Sequence, residues 1–325
     1  MLRQFFICAL VALGLVAPVA APAFAQATPI APSGAATGDF AGLVDIGNGR
    51  RLWLECRGSG GPTVVLEAGY RSPASVWTDD LVQPDRPRTM ALEGIARFTR
   101  VCAYERPGVA ASIDGTLQPS RSDPVPMPRT AESVVADLHA LLRAADVTGP
   151  YVLVGHSLGG LFVRLYAATY PDEVVGLVLV DAWSEQLSDL LTPEQWAAYL
   201  RVVSQTDPMM ADDPDYETID FAAASATMRA AAESHPLGLI PLVVLAHGQP
   251  FGLTANDLGF PPDDLERAWR TAQEGLVGLA PGARFVVAME SGHYVQLQQP
   301  DLVIAAVREV VEAVRAPASW ATPAS

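Results

Sequence analysis

Ser157 stands in the run Gly155-His156-Ser157-Leu158-Gly159, and that spacing is suited to nucleophilic catalysis. The pattern G-x-S-x-G seats a serine on a sharp strand-to-helix turn, where the glycines let neighbouring backbone pass close to a strained residue. A serine hydroxyl alone is a weak nucleophile. It needs a base within hydrogen-bond reach and backbone donors aimed at the charge that develops on a carbonyl oxygen. The Leu158 N–H, at the start of the following helix, offers one such donor. The chemistry implied is acyl transfer.

A turn of this kind works only between a buried strand and a helix. Residues 151–154 form a short β-branched apolar run, and residues 158–170 have apolar side chains at helical spacing. Further strands are expected at 44–46 and 51–55, joined through Asn48-Gly49, a dipeptide suited to the positive φ of a tight hairpin. Others are expected at 63–67, 100–104, 174–180, 241–246 and 284–289. Between them lie amphipathic helices, one capped by Thr130 with an apolar face through Val134, Val135, Leu138, Leu141 and Leu142, and others at 264–279 and 300–314. The proline-rich stretch 114–129 reads as a surface loop. Strands alternating with helices specify an α/β fold with a mostly parallel sheet, and the site belongs at the carboxyl ends of its strands. From 184 to 239 the sequence turns Ala-rich and helical, with Thr192-Pro193-Glu194 starting one helix and an acidic stretch at 211–217.

Through its G-x-S-x-G turn and the order of elements around it, the chain from about 44 to 314 resembles the α/β-hydrolase superfamily. The resemblance implies a helical cap at about 184–239 inserted after the sixth strand. It implies a catalytic histidine in the loop after the last strand, where Ser291-Gly292-His293 stands. The His-Gly pair common after the family's third strand is here Ala68-Gly69, and the next backbone N–H, that of Tyr70, is assigned to the oxyanion hole beside Leu158. Tyr104-Glu105-Arg106-Pro107-Gly108 is similar to the family's Y-D-R-x-G turn, with charges that read as local structure. The acid is less regular. Its usual place, after strand 241–246, holds His247-Gly248-Gln249-Pro250-Phe251 with no carboxylate, which leaves Asp257 downstream or Asp181, at the end of strand 174–180. Asp181 is preferred. The topology also implies that Cys56 and Cys102 lie side by side and are bridged. Trp183, Trp196, Tyr199 and Met209 are candidates to line a pocket, although such residues at helical spacing also serve as plain packing. His156 is expected to point away from the hydroxyl as packing or lining, and His139 to be a surface residue.

The 325 residues are half apolar and carry a formal charge of −15, which disfavours nucleic acid or an anionic membrane as a partner. The five histidines are scattered without metal-ligand spacing, so no metal and no cofactor is expected. Residues 1–25 have the layout of a secretory signal peptide ending in Ala23-Phe24-Ala25, with no stable membrane span after its removal. Residues 26–42 read as a flexible lead-in, 43–315 as the hydrolase domain and 316–325 as a disordered tail. The expectation is a secreted or periplasmic serine hydrolase acting on a small-molecule ester, with oligomeric state left open. Hydrolysis of C–C, lactone or peptide bonds uses the same triad. A non-catalytic secreted binding protein on this fold is the alternative of a different class.

Overall fold

The computed structural model describes residues 38–320 apart from 114–115, 207–209 and 211. The expected signal peptide, most of the lead-in, Met209 and residues 321–325 lie outside the described residues. Ten strands occur in chain order: β1 (Phe40–Gly47), β2 (Arg50–Arg57), β3 (Thr63–Glu67), β4 (Val101–Glu105), β5 (Ala110–Ile113), β6 (Thr116–Pro119), β7 (Tyr151–His156), β8 (Val174–Val180), β9 (Leu242–His247) and β10 (Arg284–Ala288). Eight of them make one sheet in the order β1-β2-β4-β3-β7-β8-β9-β10. β2 runs antiparallel to β1 and β4, and every other pairing is parallel. This is the α/β-hydrolase fold expected from the sequence.

The central strands are apolar throughout because both faces of the sheet are covered, as parallel sheets require. Every residue of β3, β7 and β9 is buried. One core layer sits under helices Ala131–Ala144, Leu158–Thr169 and Pro262–Val277, with Leu138, Leu141, Phe162 and Trp269 among its members. The opposite layer sits under Ala91–Ala96 and Pro300–Arg315, through Ile95, Val303, Val307 and Val310. Thr130 caps its helix, accepting from the Ser133 N–H at 3.2 Å. Cys56 and Cys102 are register partners on β2 and β4 and form a disulfide.

Three expectations are corrected. The stretch 114–129 is not all loop, since β6 pairs with β5 as a two-stranded hairpin. β1 starts at Phe40, inside the expected lead-in, because its pairing with β2 continues to Cys56. Pro317–Ser319 forms a helical turn, and the Trp320 ring lies over the Arg284 guanidinium at 4.6 Å, so the tail does not fray from 316.

Candidate active site

The register of the sheet brings the site together. His156 on β7 pairs with Val180 on β8, and Val180 pairs with Leu245 on β9. The residues that follow these positions therefore leave the sheet at one edge, and they include Ser157 and Asp181. Ser157 has φ 51° and ψ −127°, in the left-handed half of the backbone map that side chains rarely adopt. Cross-strand bonds hold it there: its N–H donates to the Val180 carbonyl at 3.1 Å, and its own carbonyl accepts from Trp183 N–H at 2.8 Å. Asp181 is likewise left-handed, at φ 44°, and its N–H donates to the Leu245 carbonyl at 2.7 Å.

The Asp181 side chain is fully buried and takes two donors on each oxygen. Oδ2 accepts from His293 Nδ1 at 2.6 Å and from His247 Nδ1 at 2.8 Å. Oδ1 accepts from the His247 N–H at 3.0 Å and from the Trp269 indole at 2.9 Å. Burial pushes the Asp181 pKa up, but the bonds from His247 and His293 outweigh it and hold the carboxyl below its ordinary range. Asp257 lies elsewhere, exposed, where its carboxylate caps the short helix Ala255–Leu258 through Thr254. The structure thus brings Asp181, and not Asp257, to His293. One ligand atom each from Asp181, His247 and His293 falls within a 4.8 Å span, a cluster that linear spacing does not reveal. Oxygen-to-nitrogen separations of 2.6 and 2.8 Å are those of hydrogen bonds.

The turn after β3 reaches the same edge. A Cβ added at Gly69 would stand 3.1 Å from Ser157 Cβ and 2.8 Å from His156 Nδ1, so only glycine lets this backbone lie against Ser157. Tyr70 follows directly. Leu158 begins the elbow helix, where an N–H has no acceptor within the helix. The turn is held from beneath by Arg106, which donates to the carbonyls of Ala68 at 2.8 Å and Gly69 at 2.6 Å. Arg106 also binds Glu67 at 2.5 Å and Glu217 at 2.6 Å, all three side chains being buried. A second oxygen of Glu217 accepts from the Arg71 N–H at 2.6 Å. The charges of the Glu105-Arg106 turn were expected to be satisfied locally and are not, since Arg106 reaches Glu67 and Glu217 and Glu105 accepts from Arg121. Arg106 spans the chain to the turn after β3 and to the helical insertion.

A cleft of about 400 Å³ contains Ser157, His293 and Tyr70 together with Trp183, Tyr199, Phe221 and Phe251. No Asp, Glu, Lys or Arg is among the described residues that line it. Trp196 is not in its wall and packs against Trp183 at 5.8 Å between ring centres. His156 is buried, its Nε2 donating to the His293 carbonyl at 2.9 Å, and burial pulls its pKa down to about 3. It supports the His293 turn as a neutral ring. His139 lies outside the site, stacked on Tyr170 at 4.0 Å. Sequence reasoning missed His247, Trp269, Glu266 and Glu217. The available signal for His247 was its position, since it ends an apolar strand at the edge where the site forms.

A family model described as alpha/beta hydrolase fold matches residues 91–239. An uncharacterized protein of Bacillus subtilis, YqjL, is 28% identical over 255 residues, which cover 78% of this chain and 85% of that protein. An AB hydrolase superfamily protein of Gibberella zeae is 24% identical over 324 residues, covering 84% and 94%. Among solved structures, an N-acyl homoserine lactone degrading enzyme superposes with a TM-score of 0.51 at 18% identity, over 83% of this chain and 100% of that one.

Proposed function

Since the chain belongs to the α/β-hydrolase superfamily, we propose that it is a serine hydrolase cleaving uncharged carboxylic esters, with Ser157 as nucleophile, His293 as base and Asp181 as the acid that orients it. The observation that carries this reading is the 2.6 Å bond from His293 Nδ1 to Asp181 Oδ2, made in the cleft that also holds the left-handed Ser157. With Nδ1 donating to Asp181, His293 keeps Nε2 as its acceptor. It takes the Ser157 proton as Oγ attacks the carbonyl carbon, and the resulting oxyanion rests on the N–H groups of Tyr70 and Leu158. Imidazolium then returns the proton to the leaving alkoxide. Water, deprotonated by the same histidine, attacks the acyl-enzyme and releases a carboxylic acid.

A cleft walled by aromatic and aliphatic side chains favours acyl or alcohol groups without charge, because a carboxylate buried there would find no counter-ion. The helices of 184–239 act as a cap in this reading, since Tyr199 and Phe221 from that region stand over Ser157 in the cleft wall. The mature protein begins after Ala25 and works outside the cytoplasm, a setting supported by the disulfide.

The test is direct. A fluorophosphonate probe should form one covalent adduct on Ser157 in the folded protein, and Ser157→Ala should remove both the adduct and the hydrolysis of p-nitrophenyl esters. No adduct on folded wild-type protein would sink the enzymatic reading and favour a binding protein.

A further inference from the structure

We infer that His247 is a positioning residue of this site: a buried cation that pins the Asp181 carboxylate and, by drawing on the oxygen that His293 uses, sets the pH above which His293 is free to accept a proton. The inference rests on the reading of His293 as the base. Its ground is geometric. His247 Nδ1 lies 2.8 Å from Asp181 Oδ2, and its Nε2 lies 3.1 Å from Glu266 Oε2. Ionised carboxylates only accept, so both ring nitrogens carry protons and the ring is imidazolium. The side chain is 5% exposed. Burial lowers its pKa, but the bonds to Asp181 and Glu266 prevail and raise it to about 9.

A triad normally has one imidazole on its acid. Here two compete for one oxygen, and one of them is permanently charged near neutrality. The charged and titratable groups facing His247 are Asp181, Glu266 and His293, with the Arg270 guanidinium 2.9 Å from its carbonyl. Phe251 and Trp269 close the remaining sides. His293 faces Asp181, the neutral His156 ring at 4.7 Å and Tyr294 at 5.5 Å, again with Phe251 and Trp269. His247 is the cation on the far side of the shared oxygen. Its charge offsets part of the pull that Asp181 exerts on a proton at His293.

The decisive variant is His247→Asn, which keeps an amide donor near Asp181 and removes the charge. The acid limb of kcat/KM for a p-nitrophenyl ester should move up by about one pH unit, with the plateau kcat within roughly tenfold of wild type. Glu266→Gln removes one of the two carboxylates that hold the charge on His247, so it should move the limb in the same direction as His247→Asn but by less. Nitrogen-15 spectra of histidine-labelled wild-type protein read the same groups without turnover. They should show both His247 ring nitrogens protonated at neutral pH, and the His293 titration should move up in His247→Asn. A neutral His247 at neutral pH, or an unmoved limb in a folded His247→Asn, would overturn the inference. An absent esterase activity with a shifted His293 titration would instead count against the ester-hydrolase reading alone.

Discussion

Four donors converge on the one buried carboxylate of Asp181, and its role can be separated from that of Asp257 by a single pair of variants. On the proposed mechanism Asp181→Asn removes the charge that holds the His293 tautomer and stabilises imidazolium, so kcat should fall by about 10⁴-fold. Asp257→Asn disturbs only an exposed cap and should leave steady-state kinetics unchanged. The reverse outcome would reassign the acid. His247 also makes a prediction for stability. Its pKa is raised on folding from 6.5 to about 9, so its contribution is fully present below 6.5 and is lost as pH rises through 9. The loss is on the order of 3 kcal/mol, to be read as a falling urea midpoint between these pH values and flattened in His247→Asn. Ser157 and His293 were legible in the sequence because each sits in a local signature, G-x-S-x-G and Ser-Gly-His. Asp181 was legible only by resemblance and by the missing carboxylate after strand 241–246. His247 was not legible as its partner, because the 66 residues between them are bridged only by the pairing of β8 with β9.

Positioning at the level of elements depends on how closely the elbow helix approaches the end of β3. A Cβ built on Gly159 would lie 2.4 Å from the Ala68 carbonyl oxygen and 2.6 Å from that of Glu67, both backbone atoms that cannot swing aside. Gly159→Ala must therefore push the helix carrying the Leu158 N–H away from the turn carrying the Tyr70 N–H. A displacement near 1 Å at a reacting centre costs roughly 10²-fold, so kcat should fall by about that factor with KM nearly unchanged. Wild-type kcat in this variant would show that the two donors do not act together. The eight sheet strands were readable from sequence because runs such as VVL at 64–66 and VVGLVLV at 174–180 are short and uninterrupted by polar residues, as two-sided burial demands. The β5–β6 hairpin was not, since four-residue strands next to several prolines leave no period to detect. The reach of Arg106 was equally hidden, its partners Glu67 and Glu217 lying 39 and 111 residues away.

Of the links that join parts distant in sequence among the described residues, two bear on the molecule as a whole. The Cys56–Cys102 disulfide closes a loop of 46 residues between register partners in the sheet. On the chain-entropy account such a closure is worth about 4 kcal/mol, so the double variant Cys56→Ala/Cys102→Ala should unfold at distinctly lower denaturant with its kinetics intact. An unchanged midpoint would mean that the sheet alone fixes these strands. The other link is Glu217. Its carboxylate ties the segment between helices Pro193–Ser204 and Phe221–Ser234 to Arg106 and to the Arg71 N–H, and its own N–H donates to the Gly108 carbonyl at 2.8 Å. Lifting that segment would pull a buried carboxylate away from the Arg106 guanidinium and the Arg71 N–H, leaving Arg106 with Glu67 alone; removing one partner of a buried ion pair costs about 3–5 kcal/mol. On the proposed ester-hydrolase reading, an insertion tied down in this way gives substrates an opening of fixed calibre, and the expected behaviour is that of a sieve. In a graded series of ester chain lengths the rate should end in a steep step at one size, and Glu217→Gln should blur that step by letting longer chains through.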